Sequence, residues 1–267
     1  WLSTLGSVLF AGAVLLPFGI DAASYVLAVL LILPIRGRFN PTDDAPRHES
    51  SSLYAEVLTG LRWLWRFPLM RSLAVALGLS NLGFMVAQAL FVLYAEDELG
   101  VGERGYGLLL AVMGVGAILG GLLGERVVGR VGSSLAIKGS LAIWVVTLLI
   151  PGLFPITAVV AAAAALESMA ASVWSVVSVS LRQQIVPAEI LGRVNSVYRW
   201  LGWGTIPIGA VIGGQVAAQF GLRSVYFVGA SIVLLALLIA SRQVNPAAIA
   251  AAMPPDPGKG ATDPTPI

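Results

Sequence analysis

The chain has 267 residues, 57% of them hydrophobic and 11% charged, with a mean hydropathy of +0.88, beyond the roughly 45–50% apolar content of soluble domains. It contains no cysteine, a single histidine (His48) and a formal net charge of +2, which excludes disulfides, thiol nucleophiles, thiolate metal sites and His-rich metal clusters. The basic residues are scattered between apolar runs rather than gathered in a patch, so no nucleic-acid partner is expected.

Apolar stretches recur along nearly the whole chain, many of them reaching the roughly 17–25 residues that cross a bilayer as a helix. Runs such as "YVLAVLLILPI" show none of the alternation a β-barrel needs, so the expected fold class is all-α, a polytopic membrane helix bundle of about eight transmembrane helices. Trp1 to about Leu16 reads as the end of a helix cut off upstream, since no initiator Met precedes it. "PFGID" then makes a tight connection, with Asp21 as the expected N-cap of a helix over 22–35. The polar stretch "RGRFNPTDDAPRHESSS" forms a linker. In "LYAEVLTGLRWLWRFP", Leu53, Val57, Leu61 and Leu64 recur at helical spacing, and Arg62, Trp63, Trp65 and Arg66 cluster at the end. That pattern fits a helix lying in the headgroup layer, or equally a solvated helix packed on the protein.

Six further spans are predicted at about 70–94, 106–128, 135–154, 156–181, 194–218 and 225–241. The expected organisation is therefore 1–35 as the end of an N-terminal half, 36–69 as a linker with an amphipathic helix, 70–242 as a six-helix bundle and 243–267 as a disordered tail. Counting along the alternating spans puts every Lys and Arg on one side except Arg104 and Arg223. By the positive-inside rule the linker and C-terminus are cytoplasmic.

Several stretches carry a family likeness. "RQQIVPAEILGRVNSVYRWLGWGTIPIGAVIGG" (182–214), "GIDAASYVLAVLLILPIR" (19–36) and "GLRWLWRFPLMRSLAV" (60–75) resemble the major facilitator superfamily, in its exporter branch related to enterobactin and macrolide efflux proteins. The likeness covers Trp1 to Ser241, and its strongest part runs from Pro187 to Arg199. There Pro187 suits the first turn of a short juxtamembrane helix that holds Glu189, and Gly192 permits the bend that ends it. "GLLGERVVGRVG" is similar to the superfamily's loop signature, with Gly121, Glu125, Arg126, Gly129 and Arg130, its second Gly one place late. The resemblance implies a partial fold that lacks the first four helices, and a cytoplasmic gate drawn from Glu125, Arg126, Arg130, Glu189, Arg193 and Arg199. Snorkelling of Arg193 and Arg199 to anionic headgroups is the alternative. Gly116, Gly120 and Gly124, with Gly209 and Gly213, repeat at four-residue spacing and favour close helix packing.

Glu167 stands in "AAAAALESMAASVW", about eleven residues into its span, or roughly 17 Å below the surface at 1.5 Å per residue. An acid at that depth costs on the order of 2.5–3.5 kcal/mol on insertion scales, so such residues face a cavity or the bundle interior. Trp174 and Ser178 continue its stripe, while Arg199 lies roughly 13 Å nearer the cytoplasmic face and out of pairing reach. Glu167 is expected to carry a coupling proton or to bind a cationic part of the cargo; a hydrogen-bonded structural Glu is the alternative. Asn81, Phe84, Gln88 and Phe91 share a helix face, and the resemblance implies that this face lines a central cavity; interhelical hydrogen bonds and ordinary aromatic packing are the alternative.

No catalytic constellation, metal site, cofactor or nucleotide-binding signature is found. The expected function is proton-coupled efflux of a small amphipathic molecule (a drug, macrolide or siderophore) across the plasma membrane, by a monomer needing further N-terminal helices. The alternative is a truncated remnant that acts as a binding or scaffold membrane protein. Single cysteines introduced at Asn40 and Gly102 are expected to label from opposite sides of the cell membrane; labelling from the same side would refute the predicted threading.

Overall fold

The computed structural model describes residue 19 and residues 21–35 and 53–253. The expected first helix over 1–16, most of the linker and the chain beyond 253 lie outside the described residues. The chain divides into two compact units, 1–50 and 51–267, and each is described by itself.

In the first unit, α1 (Asp21–Ile32) is an apolar helix. The expectation that Asp21 caps it is corrected: residue 19 is already helical, and the Asp21 carbonyl accepts the Ser24 hydroxyl at 2.7 Å. An acid within the first turn still meets the positive end of the helix dipole.

The second unit holds α2 (Leu53–Arg66), α3 (Pro68–Gln88), α4 (Phe91–Asp97), α5 (Glu103–Val131), α6 (Ser133–Leu153), α7 (Thr157–Ile185), α8 (Ala188–Trp203), α9 (Ile206–Phe220), α10 (Ser224–Gln243) and α11 (Pro246–Ala252). No strand occurs among the described residues. Among the described residues six stretches are long and apolar enough to cross a membrane: Pro68–Asp97, Glu103–Val131, Ser133–Leu153, Thr157–Ile185, Ala188–Phe220 and Ser224–Gln243. They match the six predicted spans and overrun most of their ends, because amphipathic helix ends continue past the apolar window into the headgroup layer.

Two of the six are interrupted. Pro68–Asp97 breaks at Ala89–Leu90, where Leu90 N–H bonds Ala87 O in a tighter turn. Ala188–Phe220 breaks at Gly204–Thr205, where the Thr205 hydroxyl satisfies Gly202 O (2.9 Å) or Gly78 O of α3 (3.0 Å). This corrects the reading of Pro187–Gly192 as a separate short helix. α8 passes through Gly192, and the helix is interrupted twelve residues later, before Pro207.

Helix packing follows the order α5, α7, α6, α10, α3 and then α8 with α9, and α2 lies on α8. Small residues set the closest approaches. A Cβ on Gly83 would fall 2.6 Å from Gly229 O, and one on Gly229 would fall 2.5 Å from Gly83 O, which seats α3 on α10. On α5, Gly116 and Gly120 press against the backbone of Ala165 and Met169 in α7, leaving no room for any side chain. Leu108, Ile118 and Leu122 on the other side of α5 are exposed, as a lipid-facing surface requires.

α2 lies against α8 rather than standing away from the bundle. Leu64 is fully buried, and a Cβ on Gly60 would meet Arg193 O at 2.7 Å. Arg223 crosses to the C-terminus of α6 and donates to Gly152 O at 2.6 Å, where a cation also suits the helix dipole. The expected disorder from 243 onward is corrected for the described part of the tail. α11 forms because Asn245 accepts the Ala248 N–H at 2.8 Å as an N-cap, Pro246 occupies the first turn and Ile249 is buried.

Gly120→Leu is expected to destabilise the bundle by roughly 1–3 kcal/mol or more through overpacking, seen as a lowered thermal midpoint in detergent. Gly121→Ala, which points into open space, should leave that midpoint unchanged.

Candidate functional site

α7 owes its length to an Ala-rich first half and a β-branched second half that packs on neighbours at Val173, Val177 and Leu181. Its opposite stripe, Glu167, Ala171, Trp174, Ser175, Ser178 and Arg182, lines a cavity of about 440 Å³. These positions step by four, three, one, three and four residues, so they share one face. From Glu167 to Arg182 the stripe runs fifteen residues, roughly 22 Å along the helix axis. Leu77, Ser80, Asn81 and Phe84 of α3 complete the lining, with Trp144 and Leu148 of α6 and Tyr198, Arg199 and Trp203 of α8. The cavity thus opens between α7 and α8, which are not neighbours in the packing order. The volume is that of a small-molecule site.

Glu167 lies at the junction of this cavity with a small void of about 30 Å³. Phe84 and Leu148 line both spaces too, while Gln88, Phe91, Thr147, Pro151 and Tyr226 line only the smaller one. The backbone of Glu167 is pinned by Trp144 Nε1, which donates to its carbonyl at 3.2 Å. Its half-buried carboxyl forms no ion pair among the described residues. The Thr147 hydroxyl, which donates to Ile143 O at 2.9 Å, is within hydrogen-bonding reach of that carboxyl on the side of the smaller void.

At the far end of the stripe the chemistry is basic. The Arg182 guanidinium sits 4.2 Å over the Tyr198 ring, and Arg199 sits 4.6 Å over Trp203. Tyr198 is itself fixed by the Ser178 hydroxyl at 2.8 Å. Asn81 Nδ2 donates to Gly202 O at 2.8 Å, tying α3 to α8 beside the break after Trp203.

The residues singled out from sequence are distributed unevenly. Glu167, Asn81, Phe84, Trp174, Ser178 and Arg199 meet in the main cavity, and Gln88 and Phe91 border the void beyond Glu167. Among the described residues no ion pair joins Glu125, Arg126, Arg130, Glu189, Arg193 and Arg199 to one another. Arg193 instead pairs with Glu56 of α2 at 3.4 Å, and Glu125, Arg126, Arg130 and Glu189 are exposed. Sequence reasoning missed Ser80, Trp144, Ser168, Ser175, Arg182, Tyr198 and Trp203. Ser175 and Arg182 were findable, because continuing the Glu167 stripe past Ser178 at the same helical step reaches both. Trp144 and Tyr198 come from other helices, which no single-helix periodicity reveals.

Because the chain lacks cysteine, accessibility can be read one residue at a time. Ala171→Cys and Ser175→Cys are expected to react readily with a water-soluble maleimide, and Ala170→Cys, on the buried face, is not. Equal rates at the three positions would contradict a hydrated cavity.

Comparison with known proteins agrees with this architecture. No curated protein matches the chain. Among solved structures, a bacterial homologue of the iron transporter ferroportin, in its outward-facing state, is similar with a TM-score of 0.59 at 21% identity, over 68% of this chain and 46% of that one. The chain therefore spans less than half the length of that protein, and the likeness is one of fold. Residues 4–257 match the family described as transmembrane secretion effector. With a bundle of membrane-crossing helices around an amphipathic cavity and a family match across nearly its whole length, the chain belongs to the transmembrane secretion effectors of the major facilitator superfamily and is a multi-pass membrane protein.

Proposed function

We propose that this chain forms the cargo-binding part of a proton-coupled exporter of small amphipathic molecules, with Glu167 as the group that takes up and releases the coupling proton. The observation that carries the reading is the place of Glu167. A carboxyl without an ion partner stands at the junction of a 440 Å³ cavity and a small void that continues past it. A desolvated acid is tolerated inside a membrane when it faces such a space, and a proton is the charge that such a group can exchange as the space opens to either side. The cavity walls fit the cargo class, since Trp144, Trp174, Trp203 and Phe84 supply apolar surface and Ser80, Ser168, Ser175 and Ser178 supply hydroxyls.

In this reading Asn81, Phe84, Gln88, Phe91, Trp174 and Ser178 contact cargo on its way through. Arg193 belongs to a cytoplasmic latch with Glu56, and Glu125, Arg126, Arg130 and Glu189 lie at the same face. The bias of Lys and Arg to that face supports a cytoplasmic linker and C-terminus in the plasma membrane. Iron, the cargo of the ferroportin homologue's namesake, is not carried over. The fixed charges facing this cavity from Arg182 and Arg199 are guanidinium groups, which repel a metal cation.

The decisive measurement is export of a fluorescent amphipath from a pump-deficient bacterium carrying the full-length protein. Export should stop with an uncoupler, and Glu167→Gln, which preserves shape and hydrogen bonding, should reduce it to the uncoupled leak. A Gln variant that exports at the native rate with an unchanged dependence on external pH would remove Glu167 from the coupling step.

A further inference from the structure

Four of the described arginines divide by what satisfies them. Arg193 has Glu56, and Arg223 has the carbonyls at the end of α6. Arg182 and Arg199 have aromatic rings beneath them and, among the described residues, no carboxylate. Arg182 Nη1 is buried with no hydrogen-bond acceptor, and Ser80 Oγ in the same cavity is likewise buried without a partner. A guanidinium held over a ring is kept in place by the ring, and at Arg182 the Nη1 donors are left over. That is the pose in which arginine takes a carboxylate, sulfonate or phosphate through parallel charge-assisted bonds.

Glu167 does not neutralise these two groups. It lies roughly 22 Å from Arg182 along α7, beyond the ~8–10 Å screening length of a hydrated cavity. Between the two ends the walls are aromatic, with the Trp144 and Trp174 rings 5.6 Å apart and tilted, and Trp203 opposite on α8.

We infer that this cavity selects an amphipathic anion, its acidic group held by Arg182 and Arg199 and its apolar body laid against Trp174, Trp144 and Trp203 in the direction of Glu167. The inference rests on the transporter reading above and adds the sign of the charge and the end at which it binds. A lipophilic cation is disfavoured, because it would bring its charge to two unneutralised guanidiniums before it reached the carboxyl.

A matched pair of fluorescent probes tests this. Dansylglycine presents a carboxylate and dansylcadaverine an ammonium on the same fluorophore, and each can be titrated against purified full-length protein in phosphatidylcholine nanodiscs by energy transfer from the cavity tryptophans. Dansylglycine is expected to saturate with an affinity about tenfold or more above that of dansylcadaverine. Arg182→Gln should weaken dansylglycine by about tenfold and leave dansylcadaverine unchanged or tighter, while Arg182→Lys keeps most of the anion preference. Arg199→Gln, at an exposed position, provides the same reading if Arg182→Gln does not fold. Equal or tighter binding of dansylcadaverine overturns the inference, as does unchanged dansylglycine binding in the folded Gln variants. Anion-selective binding without any export would leave this inference standing and remove the transport reading; export that prefers dansylcadaverine would do the reverse.

Discussion

Apolar side chains gain nothing by leaving lipid for a neighbouring helix, so this bundle depends on how closely its backbones can approach. Gly83 against Gly229, and Gly116 and Gly120 against the backbone of α7, bring α3 onto α10 and α5 onto α7 with no side chain between them. The remaining faces follow from those seams. With one side of α7 committed to α5 and α6, its Glu167–Arg182 stripe faces the interior space, and the apolar outer surfaces of α5 and α10 are left to the hydrocarbon.

Polar groups inside the bundle are used economically. Many close a gap in the backbone: Tyr94 donates to Pro151 O, Ser134 to Val244 O, Ser172 to Ala117 O and Thr205 to Gly202 O. The bonds to Pro151, Val244 and Gly202 satisfy carbonyls at a helix end or at a break, where the helix ladder leaves acceptors over, and Ser172 adds a bond to the middle of α5. The side chains left facing the cavity stand out by contrast, and they are of two kinds, a carboxyl at mid-span and guanidiniums toward one end. The two lie far enough apart that the cavity is electrically asymmetric along its length rather than neutral overall.

Much of this was legible in the sequence for identifiable reasons. The six spans and the inward face of Glu167 follow from apolar length and from the cost of an acid at that depth, both large energetic terms that single helices express by themselves. Asn81 and Phe84 were visible as one face of one helix for the same reason. Features that depend on a partner helix were not legible. Arg193 sits beside Glu189 and Arg199 in sequence but turns to Glu56 on α2, and Tyr198 joins the cavity only because α8 brings it under Arg182. The break at Gly204–Thr205 was misplaced to Gly192, since a glycine signals only permission to bend, whereas the helix is interrupted where Pro207 withholds an N–H and where Asn81 and Thr205 bond across between α3 and this segment.

That interruption divides one membrane-crossing segment into two pieces, both seated on α3 but held by different contacts. α9 is clamped to α3 where Gly209 and Gly213 meet the backbone of Leu82 and Val86, whereas α8 carries α2 on its back through Gly60 and the Glu56–Arg193 pair. The cavity wall that bears Arg199 and Trp203 is thus joined to an amphipathic helix that is not one of the six membrane-crossing segments, whereas the other half of the same segment is not.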